Sequence, residues 1–397
     1  MRLAAYLWIA FALNYVDRQM VYSMLPVLKA DLGFTGSHLG LIGGVFMWSY
    51  TLFMPVAGRM ADIWRRDLML VSSLLLWSAA TLGCATAASE GMFLMWRGVM
   101  GVTEALYYPA AIALLASHYG ESARSRALGF HQSAMYAGVL AGGWYGGWAA
   151  DHFGWRQGFT IAAAAGIVYS VVLWWGVRGS GVSPSAAQSK GSVTALFQSR
   201  CFVALSFAFA AFCAIQWVVL AWYPTFLQER FHLSMTDSGW NATVFVQVSL
   251  VAGILGGGAM ADRFRARWRP ARLYIAAVGV FCSAPFAYLI FASTTLNEAR
   301  WFSAGFGLFS GLLAGNAFAA GYDVIASENR GLGGGVLNTM GGIASGIMVY
   351  MAGIWKETIG FAPMLLWMMG VSLVAAIVLV AVAARRFRTE NDRALVP

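Results

Sequence analysis

The chain has 397 residues, of which 59% are hydrophobic and 11% charged, with a mean hydropathy of +0.66. A soluble protein is about a quarter charged, so this composition excludes a soluble globular domain and indicates a polytopic membrane protein with almost no length left for a separate soluble part. The net charge of +9 would suit nucleic acid by magnitude alone, but the placement of the basic residues between apolar runs excludes that class.

A helix needs about 20 apolar residues to cross the hydrocarbon, and twelve such stretches follow one another. The first, 4–28, carries Asn14, Asp17 and Arg18 near its middle. That is wrong for the apolar core of a signal peptide, so the run is expected to stay as a helix. The second, 39–60, holds Trp48, Ser49 and Tyr50 and leads into Gly58-Arg-Met-Ala-Asp62; the third is 68–88. The fourth, 91–117, contains Arg97 and Glu104, then Tyr107, Tyr108 and Pro109. The fifth, 125–150, opens on His131, Gln132 and Tyr136 and turns rich in glycine; the sixth is 157–177. Residues 178–200 form the only long connection of low hydrophobicity, rich in Ser, Gly and Ala, and read as a flexible cytoplasmic linker. Six more stretches follow at 201–228, 238–260, 272–292, 300–325, 331–353 and 361–384. The expected fold is an all-α integral membrane protein, with twelve transmembrane helices in two pseudo-symmetric six-helix bundles. These are 1–177 and 201–397, the latter with a short cytoplasmic tail, joined by the 178–200 linker.

With both termini placed inside, the inner segments hold 19 Lys and Arg and the outer loops 5. That bias predicts cytoplasmic termini and makes the basic excess topological; it also favours anionic lipid head groups. Cys84, Cys201, Cys213 and Cys282 lie within apolar runs and form no CxxC pair, so they read as small buried hydrophobes, not as disulfides or metal ligands. No cofactor and no metal is expected. The glycine runs follow no strand and read as helix packing, not as nucleotide loops.

The two halves echo each other at an offset of 200 residues: Gly58-Arg-Met-Ala-Asp62 is answered by Gly258-Ala-Met-Ala-Asp262, and arginines follow both. A weaker echo pairs Arg124 with Arg330. Such repeats are a common way to build a transporter, with the substrate site near the midplane. Asp62, Arg65, Arg66, Arg124, Asp262 and Arg263 are therefore expected to form a charged gate at the inner mouth, with each Asp placed to pair with the arginines.

Ionisable side chains in hydrocarbon are expensive and face a protein interior or a wet path. Arg97 and Glu104 lie seven apart and share a helix face, whereas Asp17 and Arg18 are about 100° apart on theirs. Together they give two acids and two bases. A carboxyl held between burial, which favours its proton, and an arginine, which favours its charge, can exchange a proton when the geometry changes. A guanidinium stays charged and can grip a carboxylate with two parallel bonds. Tyr50, Tyr108, Gln132 and Tyr136 in the first half could hydrogen-bond a substrate, as could Gln216, Trp217, Asn241, Asn316 and Asn338 in the second. His131 reads as an interfacial histidine.

Twelve helices in two halves, with Gly58, Asp62, Arg65 and Arg66 between the second and third, resemble the major facilitator superfamily; Ile63 and Trp64 depart from its loop signature. Asn14-Tyr-Val-Asp17-Arg18 looks like a motif of the anion:cation symporter family, and Arg97-Gly-x3-Gly-x2-Glu104-Ala, Pro109 and Gly154-Trp-Arg156 fit the same pattern. The first-helix and fourth-helix motifs, with Arg124-Ser-Arg126, are also similar to those of Spinster-like lipid carriers. The resemblance implies that Asp17 and Glu104 are protonation sites and that Arg18 or Arg97 meets an anionic substrate. The expected function is proton-coupled symport of small organic anions such as sugar acids or carboxylates by alternating access. A Spinster-like lysolipid carrier and a multidrug exporter are the rivals. An enzyme is not expected, since there is no HExxH, no GxSxG and no Cys/His metal spacing, and a receptor is not expected, since there is no signalling domain. The expected partners are a small anionic substrate and membrane lipids, the expected state a monomer, and the expected location a bacterial inner membrane.

Overall fold

The computed structural model describes residues 1–180 and 192–395; the middle of the expected linker, 181–191, lies outside the described residues. Among the described residues every regular element is helical. The order is α1 (Arg2–Ser23), α2 (Leu25–Leu32), α3 (Gly36–Ile63), α4 (Arg66–Ala85), α5 (Glu90–Ala105), α6 (Tyr107–His118), α7 (Glu121–His152) and α8 (Trp155–Val177). It continues with α9 (Val193–Gln198), α10 (Arg200–Phe231), α11 (Met235–Arg265), α12 (Ala271–Ala292), α13 (Leu296–Tyr322), a 3-10 turn at Ser327–Asn329, α14 (Arg330–Thr358) and α15 (Phe361–Leu395).

Among the described residues, counting α5 and α6 as one span, ten helices are long and apolar enough to cross a membrane. The other two stretches expected to span form helices of 22 and 32 residues, α1 and α7. Both are less apolar, α1 because it carries Asn14, Asp17 and Arg18.

Two expected helices are interrupted. The first stretch breaks at Met24 between α1 and α2, and the fourth at Leu106 between α5 and α6. A proline follows each break, Pro26 and Pro109. Proline has no N–H for the carbonyl four residues back and its ring collides with it, so the ladder opens one turn upstream. The second break falls directly after Glu104 and Ala105, which places Glu104 in the last turn of α5.

The chain divides into two compact units. The first is Met1–Ala187 with Leu220–Thr243, and the second is Gln188–Val219 with Val244–Pro397. In the first, α1 packs on α7, α4 on α8 and α3 on α5. Gly138 and Gly146 of α7 sit against the α1 backbone: a Cβ on Gly146 would lie 2.7 Å from Met20 Cα, and one on Gly138 would lie 2.5 Å from the Ala12 carbonyl oxygen. In the second unit α12 packs on α13 and α15 around a core that includes Phe202, Leu273, Leu313, Leu337 and Leu379. Glu390 of α15 accepts hydrogen bonds from the Ser199 hydroxyl at 2.8 Å and from the amides of Arg200 and Cys201 at 3.1 and 3.0 Å. It thereby satisfies amides that α10 leaves open at its start.

Candidate functional site

The first unit encloses a cluster of four charged side chains. Asp17 and Arg18 come from α1, Arg97 and Glu104 from α5, and all are at most 4% exposed. Arg18 Nε donates to Glu104 Oε2 at 2.6 Å. The neighbouring Asp17 is buried near Trp77 and Thr81 of α4, within the fields of Glu104 and Arg97. The 100° between successive helical positions thus sends the two α1 charges to different partners. Among the described residues Arg97 has no ion-pair partner. It donates to the Ile42 carbonyl at 3.3 Å and touches Met100 Sδ at 3.2 Å, and its Nη2 has no partner.

The two guanidiniums are held by aromatic faces. The Arg18 guanidinium carbon lies 4.3 Å from the Tyr50 ring centre, 4.8 Å from Tyr15 and 5.1 Å from Phe46; that of Arg97 lies 4.8 Å from the same Phe46 ring. A cation over a ring face gains electrostatic energy, more so when dry. The approach of α3 that brings Phe46 and Tyr50 here depends on Gly101, midway between Arg97 and Glu104, since a Cβ there would lie 2.6 Å from the Phe46 carbonyl oxygen. Arg18 meets Glu104 through Nε, so its outer Nη edge is left on the Tyr50 side. An edge with two parallel N–H groups is suited to a carboxylate or phosphate.

The structure brings Asp17, Arg18, Tyr50, Arg97 and Glu104 together. Tyr108 and Gln132 face each other, hydroxyl to Oε1, at 3.5 Å. Tyr136 is half-buried on α7. His131 is not interfacial as expected: it is fully buried, stacked 4.5 Å from Phe11, with Nε2 3.3 Å from the Tyr107 hydroxyl. A ring sandwiched between other rings gains more from packing than from reaching the membrane surface. Asn241 lies in the first unit and donates to the Asp237 carbonyl one turn back. Gln216, Trp217, Asn316 and Asn338 lie in the second unit. There Asn316 donates to Leu312 of its own helix, Gln216 is buried with a free Oε1, and Asn338 is exposed.

The loop charges pair differently from the expected gate. Asp62 falls inside α3, not beyond its end, and Arg65 pairs with Asp67 at 2.9 Å. Asp67, the first acid of α4, is two residues away and its carboxylate also accepts the Leu68 amide, which makes it the better-placed partner. Arg66 reaches the carbonyls of Ala61 and Ala113. In the second unit Asp262 pairs with Arg272 at 3.3 Å, not with Arg263, and Arg272 and Arg265 both pair with Asp323. Arg124 is exposed.

Asn14, Phe46, Trp77 and Thr81 also belong to the cluster; Asn14 is part of the first-helix motif but carries no site role there, and the other three were not among the expected site residues. Two had a usable signal: Asn14 precedes Arg18 by four residues and Phe46 precedes Tyr50 by four, the spacing that puts side chains on one helix face. Among the described residues no group of three His, Cys, Asp or Glu is placed to hold a metal ion, and the four cysteines are unbonded. An apolar groove of about 710 Å³ in the second unit, lined by Phe207, Trp367 and Val371 among others, contains none of the charged groups.

The family profile described as Major Facilitator Superfamily matches residues 7–348 and 205–395. A protein spinster homolog 1 from Xenopus tropicalis is 28% identical over 315 residues, covering 72% of this chain and 59% of its own length. The chain therefore spans about three fifths of that relative. A D-galactonate transporter from Escherichia coli is 23% identical, covering 94% of this chain and 92% of its own. Among solved structures, a bacterial homolog to the human lysosomal transporter Spinster, inward-facing and unoccupied, superposes with a TM-score of 0.78 at 18% identity, covering 100% of this chain and 98% of that one.

Proposed function

The chain belongs to the major facilitator superfamily, and from that premise we propose that it couples protons to the movement of a small amphiphile with an acidic head group, in the Spinster-like manner. At the coarser level it is a multi-pass integral membrane protein for secondary-active transport of small organic solutes, not an enzyme.

The observation that carries the reading is the buried Arg18–Glu104 pair. While Glu104 is charged it neutralises Arg18. When Glu104 takes a proton, Arg18 is left as a buried cation whose cost is relieved by an anion at its Nη edge. Proton and anion then favour each other's binding, which is the thermodynamic condition for symport. Asp17, within the field of Arg97, is the second proton site in this scheme. Tyr15, Phe46 and Tyr50 around the guanidinium offer an apolar wall suited to the chain of an amphiphile such as a lysolipid. The spinster relatives support this choice. We assign alternating access to the bundles 1–177 and 201–397, with cytoplasmic termini in a bacterial inner membrane, and Tyr50, Tyr108, Gln132, Tyr136, Gln216, Trp217, Asn241, Asn316 and Asn338 to substrate contact.

A second reading, symport of small sugar acids or carboxylates, is favoured by the D-galactonate transporter relative, which matches over nearly its whole length. Substrate charge and shape separate the two. Thermal unfolding of the purified protein is followed with lysophospholipids, short carboxylates and sugar acids, in wild type and in Arg18→Lys. A ligand at a hundredfold excess over its Kd stabilises the folded state by about 2.7 kcal/mol. Stabilisation by acidic lysophospholipids that weakens in Arg18→Lys supports the amphiphile reading, and stabilisation by sugar acids alone replaces it with the second. Stabilisation by either class that is unchanged in Arg18→Lys removes Arg18 from recognition.

A further inference from the structure

Glu104 is gripped on one side only. Arg18 holds Oε2, while Oε1 is buried with no hydrogen-bond partner. Beside this carboxyl stands Asn14 of α1, one helical turn before Arg18. Asn14 is fully buried, and among the described residues neither its Nδ2 nor its Oδ1 makes a hydrogen bond. An amide enclosed without hydrogen bonds to the protein is costly. Leucine would fill such a space without that cost.

The other groups around the carboxyl cannot serve both of its protonation states. Arg18 and Arg97 only donate. Asp17, Tyr15 and Tyr22 of α1 act on it through their charge or dipole. From α3, Tyr50 is engaged with Arg18, its ring centre 4.3 Å from the guanidinium carbon. From α4, Ser73 is committed to the Thr103 carbonyl at 2.7 Å. A primary amide carries both a donor and an acceptor on one planar group.

We propose that Asn14 is the positioning residue for the proton on Glu104. Its Nδ2 donates to Oε1 when Glu104 is charged, and its Oδ1 accepts the Oε1 proton when Glu104 is neutral. Only a half-turn of the amide separates the two arrangements, and no other bond breaks. Arg18 keeps Oε2 throughout, so the carboxyl stays in one place while its charge changes. This rests on the proton-coupling reading above and adds to it the group that lets a dry carboxyl titrate without losing its register.

The test needs no substrate. The protein in liposomes is titrated with pH and followed by infrared difference spectroscopy of the protonated carboxyl stretch, with Glu104→Gln identifying the Glu104 band. Asn14→Leu removes donor and acceptor together. The charged form loses the stronger, charge-assisted bond, so the Glu104 midpoint is expected to move to higher pH by about one unit, a tenfold change in proton affinity. The band itself should also shift, because the neutral form loses its acceptor. Asn14→Ser, which keeps a group able to donate and accept, should lie near wild type, and Asn14→Ala should follow Asn14→Leu; this pair serves if the leucine variant does not fold. A midpoint unmoved in Asn14→Leu or Asn14→Ala, with the Glu104 band still assigned, overturns the role of Asn14 alone. If Glu104→Gln removes no titrating band, Glu104 does not titrate, and the proton-coupling reading fails together with this one.

Discussion

Gly239 of α11 meets Gly143 of α7 backbone to backbone: a Cβ on Gly239 would run into the Gly143 carbonyl group. The contact continues along both helices. A Cβ on Gly147 would lie 2.6 Å from the Thr236 amide, and Asp151, one turn further, accepts the Thr236 amide at 2.8 Å and its hydroxyl at 2.6 Å. Gly143, Gly147 and Asp151 are spaced by four and form one stripe on α7. This stripe holds the segment Leu220–Thr243 in the first unit. Gly239→Ala is expected to push the helices apart and loosen that segment. A cysteine placed at Thr236 should then react several-fold faster with a membrane-impermeant thiol reagent than it does without the alanine. Equal labelling rates would mean that the close approach does not hold the segment.

Asp31, beyond the end of the first membrane run, accepts hydrogen bonds from Arg156 and from Trp155 Nε1. The Arg156 hydrogen bond, then that of Trp155, holds the Asp31 carboxyl below its usual range. A lowered carboxylate contributes stability above its unfolded value, about 3.9, and loses that contribution as pH falls through the folded value. Asp31→Asn should therefore lower the melting temperature at neutral pH, and the difference from wild type should close as the pH is taken below that range. A difference that stays constant into acid would show that the asparagine acts through packing and not through the ion pair.

Arg18 and Glu104 supply a test of the buried pair itself. Removing one partner leaves a lone charge in the core, which costs about 3–5 kcal/mol, whereas replacing both with apolar groups of similar volume is often neutral or better. Arg18→Met is expected to destabilise strongly, and Arg18→Met with Glu104→Leu should recover most of the loss while abolishing any proton-driven uptake. Thermal melts of the single and double variants give the coupling directly. If the two single losses add in the double variant, the pair is not a unit.

The all-helical membrane fold was legible because it rests on composition and on runs long enough to span, and both survive without knowledge of tertiary contacts. The four buried charges were legible for the same reason, since a charge in an apolar run stands out. The helix breaks after Ser23 and Ala105 were not, although Pro26 and Pro109 marked them, because long hydrophobicity masks a one-residue interruption. The loop pairs were misassigned because sequence shows which arginines are near an aspartate in the chain, and not that Asp67 competes for Arg65 or that Arg272 folds back to Asp262. Asn14, though part of the first-helix motif, was given no role, and Phe46 was not selected, because an amide and a phenyl ring are ordinary residues until the partner is known. The cap that Glu390 places on α10 joins positions about 190 apart, a relation no local pattern carries.

Phe46 lies close to two guanidiniums, 5.1 Å from that of Arg18 and 4.8 Å from that of Arg97. Two cations facing one ring would repel each other across an apolar gap, and the ring's negative faces offset part of that repulsion. Phe46→Leu keeps a buried apolar side chain but removes both faces. The two desolvated cations should lose about 0.5–2 kcal/mol each, so about 1–4 kcal/mol together. Packing loss alone would give a similar total, so the deciding measurement is a double-mutant cycle with Arg97→Met. A coupling energy within that per-cation range assigns the effect to the ring and the charge. Additive losses would leave Phe46 as filler, and the placing of Arg97 would then fall to the Ile42 carbonyl and Met100.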